Sequence, residues 1–323
     1  ILGISSFGEF ALIQSTIMML ADFVQAGIGL STTKYIASTR SSDTVKTGRI
    51  IGFALVFTVI AALVVGMILL LFSDPLIEIM LPGSGLSWEF RLASAWVVFE
   101  MINLIQSRVL LGLENFRSNA IVNIFKALLL FPAMIFGAYY HGLPGAIVAL
   151  SFVSICVLLL NQFILRKDCA KLSIKIGYDD IWQEKGILRM SIMVWLCSIA
   201  MNGTDWLVGI LLARQPAGLT EFGLFNAANR FKHMLLYLPL NIYQIAVPIL
   251  ANLHSTGDRQ GFTKSLLSMG MIATGVTLLG ATILYTFSGR LMSFYGADFI
   301  RGIQTLKIVA FTCIAQTVWI IAG

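Results

Sequence analysis

The chain alternates between long apolar runs and short polar connections. About nine runs reach the roughly 20 residues that a helix needs to cross the hydrocarbon core of a bilayer. Residues 120–140 and 145–165 are examples, and only His141-Gly142-Leu143-Pro144 separates them. The pattern therefore predicts an all-α polytopic membrane protein.

Two short amphipathic pieces interrupt the long runs. The first begins at Asp74-Pro75 and stops at Pro82-Gly83, and the second surrounds Arg290 and Tyr295. Short helices of this composition lie in the plane of the membrane interface. We expect both pieces to do so.

Two parts of the chain resemble each other at an offset of about 212 to 215 residues. Glu9–Ile13 corresponds to Glu221–Phe225, and Phe72-Ser73 corresponds to Phe287-Ser288. An even number of spans separates the copies, so both copies have the same orientation. The repeat predicts two parallel-repeat helix bundles around a central cavity.

We predict three segments from this organisation. Residues 1–165 form an N-terminal bundle whose first helix is expected to precede residue 1. Residues 166–185 form a basic cytoplasmic linker, and residues 186–323 begin a C-terminal bundle that is expected to continue beyond the sequence. The intact protein is expected to have twelve or more spans.

Charge supports the membrane interpretation and sets the orientation. Only 12% of residues are charged and 58% are hydrophobic, against about 25% charged residues in soluble domains. The net charge is +6, and fifteen basic residues fall on one side of the predicted spans against five on the other. The richer side is expected to be cytoplasmic. The excess charge is thus a topology signal, and we expect no nucleic-acid partner.

The residue types that carry covalent chemistry are dispersed. The four cysteines and three histidines show no pairing or metal-ligand spacing. We find no nucleotide-binding loop and no nucleophile triad. We therefore expect no metal, no cofactor and no enzymatic activity.

A polar stripe runs along the predicted helix from Phe222. Its members recur at three- and four-residue steps and so share one face: Asn226, Arg230, His233, Tyr237, Asn241 and Gln244. Arg230 either snorkels to the interface or provides a fixed cation in a cavity, and the polar stripe favours the cavity. His233 is either a hydrogen-bonded bundle residue or a titrating group. Asn229 and Lys232 complete the cavity candidates, although Lys232 lies about 120° off the stripe.

Three acidic residues, Asp22, Glu100 and Asp205, lie inside predicted spans, where an ionisable group is costly. Each is either an ion partner in helix packing or a carrier of H⁺ or Na⁺ that couples transport to a gradient. Asn103 and Gln106 follow Glu100 on the same helix face, and we expect them to hydrogen-bond between helices.

Several stretches resemble one known family. Residues 205–209, 221–230 and 248–251, and the acid followed by glycines in residues 22–29, are similar to helices of bacterial polysaccharide transporters. These are the O-antigen (Wzx-type) flippases of the multidrug/oligosaccharidyl-lipid/polysaccharide exporter (MOP) superfamily. The resemblance extends over essentially the whole chain. It implies a V-shaped pair of six-helix bundles with a cavity that opens alternately to either side.

The resemblance also implies a function. It is the translocation of undecaprenyl-pyrophosphate-linked oligosaccharide across the bacterial inner membrane, among membrane lipids and beside a polysaccharide polymerase and chain-length regulator. Two alternatives remain open. One is another exporter of the superfamily, either a lipid II flippase or a drug/cation antiporter. The other is a membrane polymerase or ligase of lipid-linked sugars, which the short outward connections and the internal repeat disfavour.

Overall fold

The computed structural model describes residues 3–178, 186–255 and 258–322, and within them all regular elements are helices. Ten α-helices and one 3₁₀ helix follow in order: α1 (Ile4–Thr39), α2 (Thr44–Leu71), α3 (Ser73–Met80), α4 (Ser87–Gly112), α5 (Phe116–Lys171), α6 (Gly186–Ala213), α7 (Gly218–Ser255), α8 (Arg259–Thr286), α9 (Ser288–Ser293), the 3₁₀ helix (Ala297–Gly302) and α10 (Ile303–Ala322). The predicted all-α class is confirmed.

Helix α5 is two helices joined by a sharp bend. Gly142 adopts a left-handed φ of 58° with ψ of −136° between its two parts, a conformation that glycine reaches without a Cβ penalty. The predicted separation at residues 141–144 is thus confirmed. By length and composition, α2, α4, α5, α8 and residues 4–23 of α1 can each cross a membrane, which makes this a multi-pass membrane protein.

The internal repeat recurs in the order of the elements. The sequence long helix, long helix, short helix, long helix occurs as α1–α4 and again as α7–α10, and the corresponding helices begin 214 to 216 residues apart. The caps repeat too. Asp43 accepts a hydrogen bond from Lys46 N at 2.8 Å to start α2, and Asp258 does the same for Gly261 N at 2.8 Å to start α8. Short helices α3 and α9 occupy the two predicted amphipathic pieces.

By its contacts the described chain separates into two compact units. The first unit holds residues 9–218 and the second holds residues 3–8 and 219–323. Helix α6 belongs to the first unit, along α1, because Ser191 Oγ donates to Ser31 Oγ at 3.1 Å and Trp206 Nε1 donates to Thr16 Oγ1 at 3.0 Å. The predicted division at the linker 166–185 stays a prediction, and residues 179–185 lie outside the described residues.

One apolar core of the first unit lies where α1, α2, α4 and the end of α5 meet. Ile36, Ile51 and Leu165 are fully buried there. The start of the linker covers this core, since Ile174 is buried in it and Gly177 N donates to Gly48 O at 3.2 Å. Gly48 has no room for a Cβ, which would strike the backbone carbonyl of Lys175.

The second unit is built around α7. Its apolar face packs on the short elements and on α10, with Leu224, Ala227 and Ala228 buried against Met292 and Phe299. Helices α8 and α10 form a second cluster beside this core. This packing decides which face of α7 is covered.

Candidate functional site

The predicted stripe on α7 lies on the side of the helix that packing leaves open. Arg230, His233 and Tyr237 are exposed, with 66% of Tyr237 accessible. Ala227 and Ala228, on the other side, are fully buried. A cation, an imidazole and a phenol are therefore presented together on one face of a helix long enough to cross the membrane.

The amides of the stripe are held by their own helix. Asn226 Nδ2 donates to Phe222 O at 2.9 Å and Asn241 Nδ2 donates to Tyr237 O at 2.6 Å. Asn226 and Asn229 are half-buried at the edge of the exposed face. The side chain of Gln244 lies outside the described residues.

Lys232 lies away from the stripe. It is half-buried and close enough to Cys313 of α10 to interact with it electrostatically. The structure thus places Lys232 towards the interior of the second unit. It does not bring Lys232 together with Arg230 and His233.

An aromatic cluster that sequence reasoning missed supports the helix beside Arg230. Tyr295 lies edge-on to Phe7 at 5.6 Å and to Phe231 at 5.9 Å between ring centroids, and it is tilted against Phe299 at 5.4 Å. Burial raises the pKa of Tyr295 above its ordinary value, and the nearby Arg230 guanidinium partly opposes the shift. The phenol therefore stays neutral beside the arginine. Phe7, Phe231 and the neighbouring pair Tyr295 and Phe299 come from three distant parts of the sequence, so no local pattern marked the cluster.

Asp22 and Asp205 both belong to the first unit but occupy different levels. Helices α1 and α6 run antiparallel, with Phe23 beside Trp195 and Thr16 beside Trp206. Asp205, next to Trp206, is therefore about six residues or ~9 Å along the helix from the level of Asp22. Asp22 is half-buried and interacts electrostatically with Arg108 of α4, whereas Asp205 is exposed. The structure does not bring these two acids together.

Glu100 is a buried ion-pair partner. Its Oε1 lies 2.5 Å from Lys126 Nζ, and Ser154 Oγ donates to its Oε2 at 2.9 Å. The Glu100 side chain is 4% exposed and that of Lys126 is 32% exposed. The fifteen basic residues assigned to the predicted cytoplasmic side include Lys126, which lies inside α5. Without it the imbalance is fourteen to five, and the predicted orientation is unchanged.

Within the part of the chain that the structure describes, no group of three or more His, Cys, Asp or Glu side chains could hold a metal ion. The chemistry that the candidate residues offer is the binding of ions and polar groups. Arg230 can hold an oxyanion through its planar fork. Glu100, Asp22 and Asp205 can hold protons or cations.

A comparison with known protein families identifies the family of this chain. Residues 1–254 match the model of a family described as polysaccharide biosynthesis protein. The chain belongs to this family. Among curated proteins, none matches the sequence. The predicted family is thus confirmed, and the family match includes the whole first unit and nearly all of α7.

Solved structures of the MOP superfamily share the fold of this family member. A multidrug resistance MATE family transporter in an outward-facing conformation is 16% identical, with a TM-score of 0.70 over 98% of this chain and 72% of that one. A transporter from Pyrococcus furiosus, described as having a binding pocket of reverse polarity, is 17% identical, with a TM-score of 0.69 over 98% and 76%. A Vibrio cholerae MATE transporter in the bent form is 15% identical, with a TM-score of 0.61 over 99% and 83%. At these identities the likeness shows the fold.

Proposed function

We propose that this polysaccharide biosynthesis family member is a flippase for undecaprenyl-pyrophosphate-linked oligosaccharide, an O-antigen or similar repeat unit, in the bacterial inner membrane. The observation that carries the proposal is the open polar face of α7, with Arg230 at its centre and His233 and Tyr237 beside it. Helix α7 is 38 residues long, which is enough to cross a membrane, and an exposed polar face on a helix inside the bilayer needs an aqueous or polar neighbour. A cavity for a phosphorylated sugar provides one.

The chemistry of the stripe suits the substrate. The Arg230 guanidinium binds two phosphate oxygens in one plane, and Asn226, Asn229 and Tyr237 offer hydrogen bonds to sugar hydroxyls. Lys232 is a secondary candidate that would have to turn outward. The polyprenyl tail would stay among the membrane lipids while the head group crosses by alternating access, without covalent chemistry.

The movement is proposed to be coupled to a gradient of H⁺ or Na⁺. The carboxylates of Asp22, Asp205 and Glu100, all in helices of the first unit, are the proposed carriers. A polysaccharide polymerase and a chain-length regulator, acting on the far side of the membrane, are the proposed partners.

A second candidate function is export of drugs in exchange for a cation, since one fold neighbour is a multidrug resistance transporter. The cation at Arg230 opposes cationic drugs. The P. furiosus neighbour, described as having a pocket of reversed polarity suggesting a different function, illustrates how polarity separates functions within one fold.

The test is lipid analysis of a deletion strain. Polyprenyl-linked oligosaccharides are extracted and measured by mass spectrometry, and their leaflet is assigned with a membrane-impermeant glycosidase on spheroplasts. Complete repeat units trapped on the cytoplasmic leaflet, and released by the wild-type gene, are the expected result. Single units that accumulate on the outer leaflet would instead indicate a polymerase or ligase. No accumulation at all would contradict the flippase and favour the drug exporter.

A further inference from the structure

Buried and half-buried polar residues line the interface between α4 and the two parts of α5, and we call them the α4–α5 track. They repeat at steps of three on α4 and seven on α5, which keeps them on facing stripes. The track consists of Glu100, Asn103 and Gln106 on α4, Asn119 and Lys126 on the first part of α5, and Ser154, Asn161 and Asp168 on the second part.

Hydrogen bonds join the levels from Glu100 to Asn161, and a separate group of hydrogen bonds surrounds Asp168. Beyond the Glu100 ion pair, Asn103 Nδ2 donates to Ser154 O at 2.8 Å, and Asn161 Nδ2 lies 3.4 Å from Asn103 Oδ1. At the far end, Ser118 Oγ donates to Asp168 Oδ2 at 3.0 Å. Ser154 and Asp168 are 14 residues apart on α5, so the track is about 21 Å long.

Two acceptors in the middle of the track find no donor among the described residues. They are Asn161 Oδ1 and Gln106 Oε1, and each residue is only 1% exposed. A buried acceptor left unpaired costs about 1–3 kcal/mol, a cost that an apolar side chain would avoid. Helix packing alone does not account for them. Water is the smallest donor that satisfies both, and buried water binds at such groups.

We propose that the α4–α5 track conducts protons between Asp168 and Glu100 through water bound at Asn161 and Gln106. A proton that reaches Glu100 Oε1 converts the carboxylate to a carboxylic acid and breaks the ion pair. Lys126 keeps its own proton and is released, so the net charge of the pair rises from zero to +1. When the proton leaves by the same oxygen, the ion pair forms again.

The charges around Glu100 favour a proton over a metal cation. Lys126 is the ammonium in contact with it, and a sodium ion at the same oxygen would sit against that positive charge. From α1, Asp22 faces Arg108 of α4, further along the helix. The basic residues of α2, Lys46 and Arg49, lie in its first turns beside the core at the end of α4. From α3, Asp74 is paired with Arg91 at 2.6 Å.

This inference rests on the proposed function for its purpose, because a buried proton site and a path to it would let a proton gradient drive flipping. It also distinguishes the three acids of the first unit. Glu100 belongs to the track, whereas Asp22 and Asp205 are not among its residues. Release of Lys126, which is already one-third exposed, is the local change that could alter packing between α4 and α5.

The test measures protonation directly and uses no transported substrate. The full chain in proteoliposomes is shifted rapidly from alkaline to acidic buffer, and the infrared carbonyl band of protonated carboxylic acids is followed in time. A component that Glu100→Gln abolishes is expected in the wild type. Asn161→Leu and Gln106→Leu, tested separately, are expected to slow that component at least about tenfold, or ~1.4 kcal/mol in barrier height.

The matched control is Thr58→Val on α2, which removes another buried hydroxyl that has no hydrogen-bond partner among the described residues and is not a member of the track. In Thr58→Val, Glu100 is expected to become protonated at the wild-type rate. Asn161→Ser keeps a polar group that can hold water and should restore most of the rate, which separates conduction from packing. The proposal is overturned by the absence of a Glu100-dependent band, by wild-type rates in both leucine variants, or by equal slowing in Thr58→Val. The flippase proposal can fail in the lipid analysis without changing this result.

Discussion

The polar face of α7 and the polar face of α4 have the same helical periodicity in the sequence. In the fold, the face of α7 is exposed and the face of α4 is buried. On α7 the stripe around Arg230 stays open, and the apolar side packs through Ala227 and Ala228. On α4 the polar side is covered, and Glu100 and Asn103 are 3% and 4% exposed. Helical periodicity therefore identifies a polar face, but the partner helices decide whether it is a surface or an interior.

The difference has a chemical cause. Helix α5 brings Lys126 and Ser154 to Glu100, so the carboxylate can be buried with its charge and hydrogen bonds compensated. The elements packed on α7 cover it from its apolar side with Phe299 and Met292. A buried polar face should thus govern stability, and an open one should govern ligand binding.

The largest expected effect is on stability. Glu100→Leu leaves the Lys126 ammonium without its partner, and breaking a buried pair costs about 3–5 kcal/mol, reduced here because Lys126 is partly exposed. The melting temperature of the purified protein in detergent measures the loss. The double variant Glu100→Leu with Lys126→Met should recover most of it. A double variant as unstable as the single one would show that shape, and not charge, matters at this position.

The second effect is on flipping and should leave stability nearly unchanged. Arg230→Ala removes charge-assisted hydrogen bonds worth about 1.5–3 kcal/mol, so flipping of the lipid-linked oligosaccharide should fall roughly 10- to 150-fold. Arg230→Lys keeps the charge without the planar fork, so its flipping activity should lie between that of the wild type and that of Arg230→Ala. Complementation of the deletion strain, scored by trapped repeat units, measures both. Equal activity in all three proteins would remove Arg230 from the substrate site.

The smallest effect compares two asparagines. Asn103→Leu removes an interhelical hydrogen bond inside the first unit and should cost about 0.6 kcal/mol, at most ~1.7 kcal/mol. Asn226→Leu removes only a bond to its own helix on a half-buried face and should change stability by less than about 0.5 kcal/mol. Unfolding of both variants in the same detergent makes the comparison. A larger loss at Asn226 would mean that the stripe on α7 is covered by packing.

Much of the fold could be predicted because it depends on patterns of residues that are close in sequence. The bend at Gly142, the short helices after Phe72 and Phe287 and the repeat of about 215 residues each follow from residues close in sequence. Of the candidate site, the shared face of Arg230, His233 and Tyr237 was predictable for the same reason. The role of Lys126 was not, because it depends on a partner 26 residues away on another helix. Counted by composition alone, it looked like a topology signal.

By itself, the sequence determined the class of protein, the order of the long helices, the family and the polar face of α7. These follow from apolar run length and helical periodicity, which the bilayer and the backbone enforce locally. Only the tertiary structure decided that Lys232 lies towards Cys313, that Tyr295 lies beside Arg230, and that Glu100 has Lys126 as its counterion. Such outcomes depend on which side chains meet across helices, and burial energies settle that question only when the helices pack.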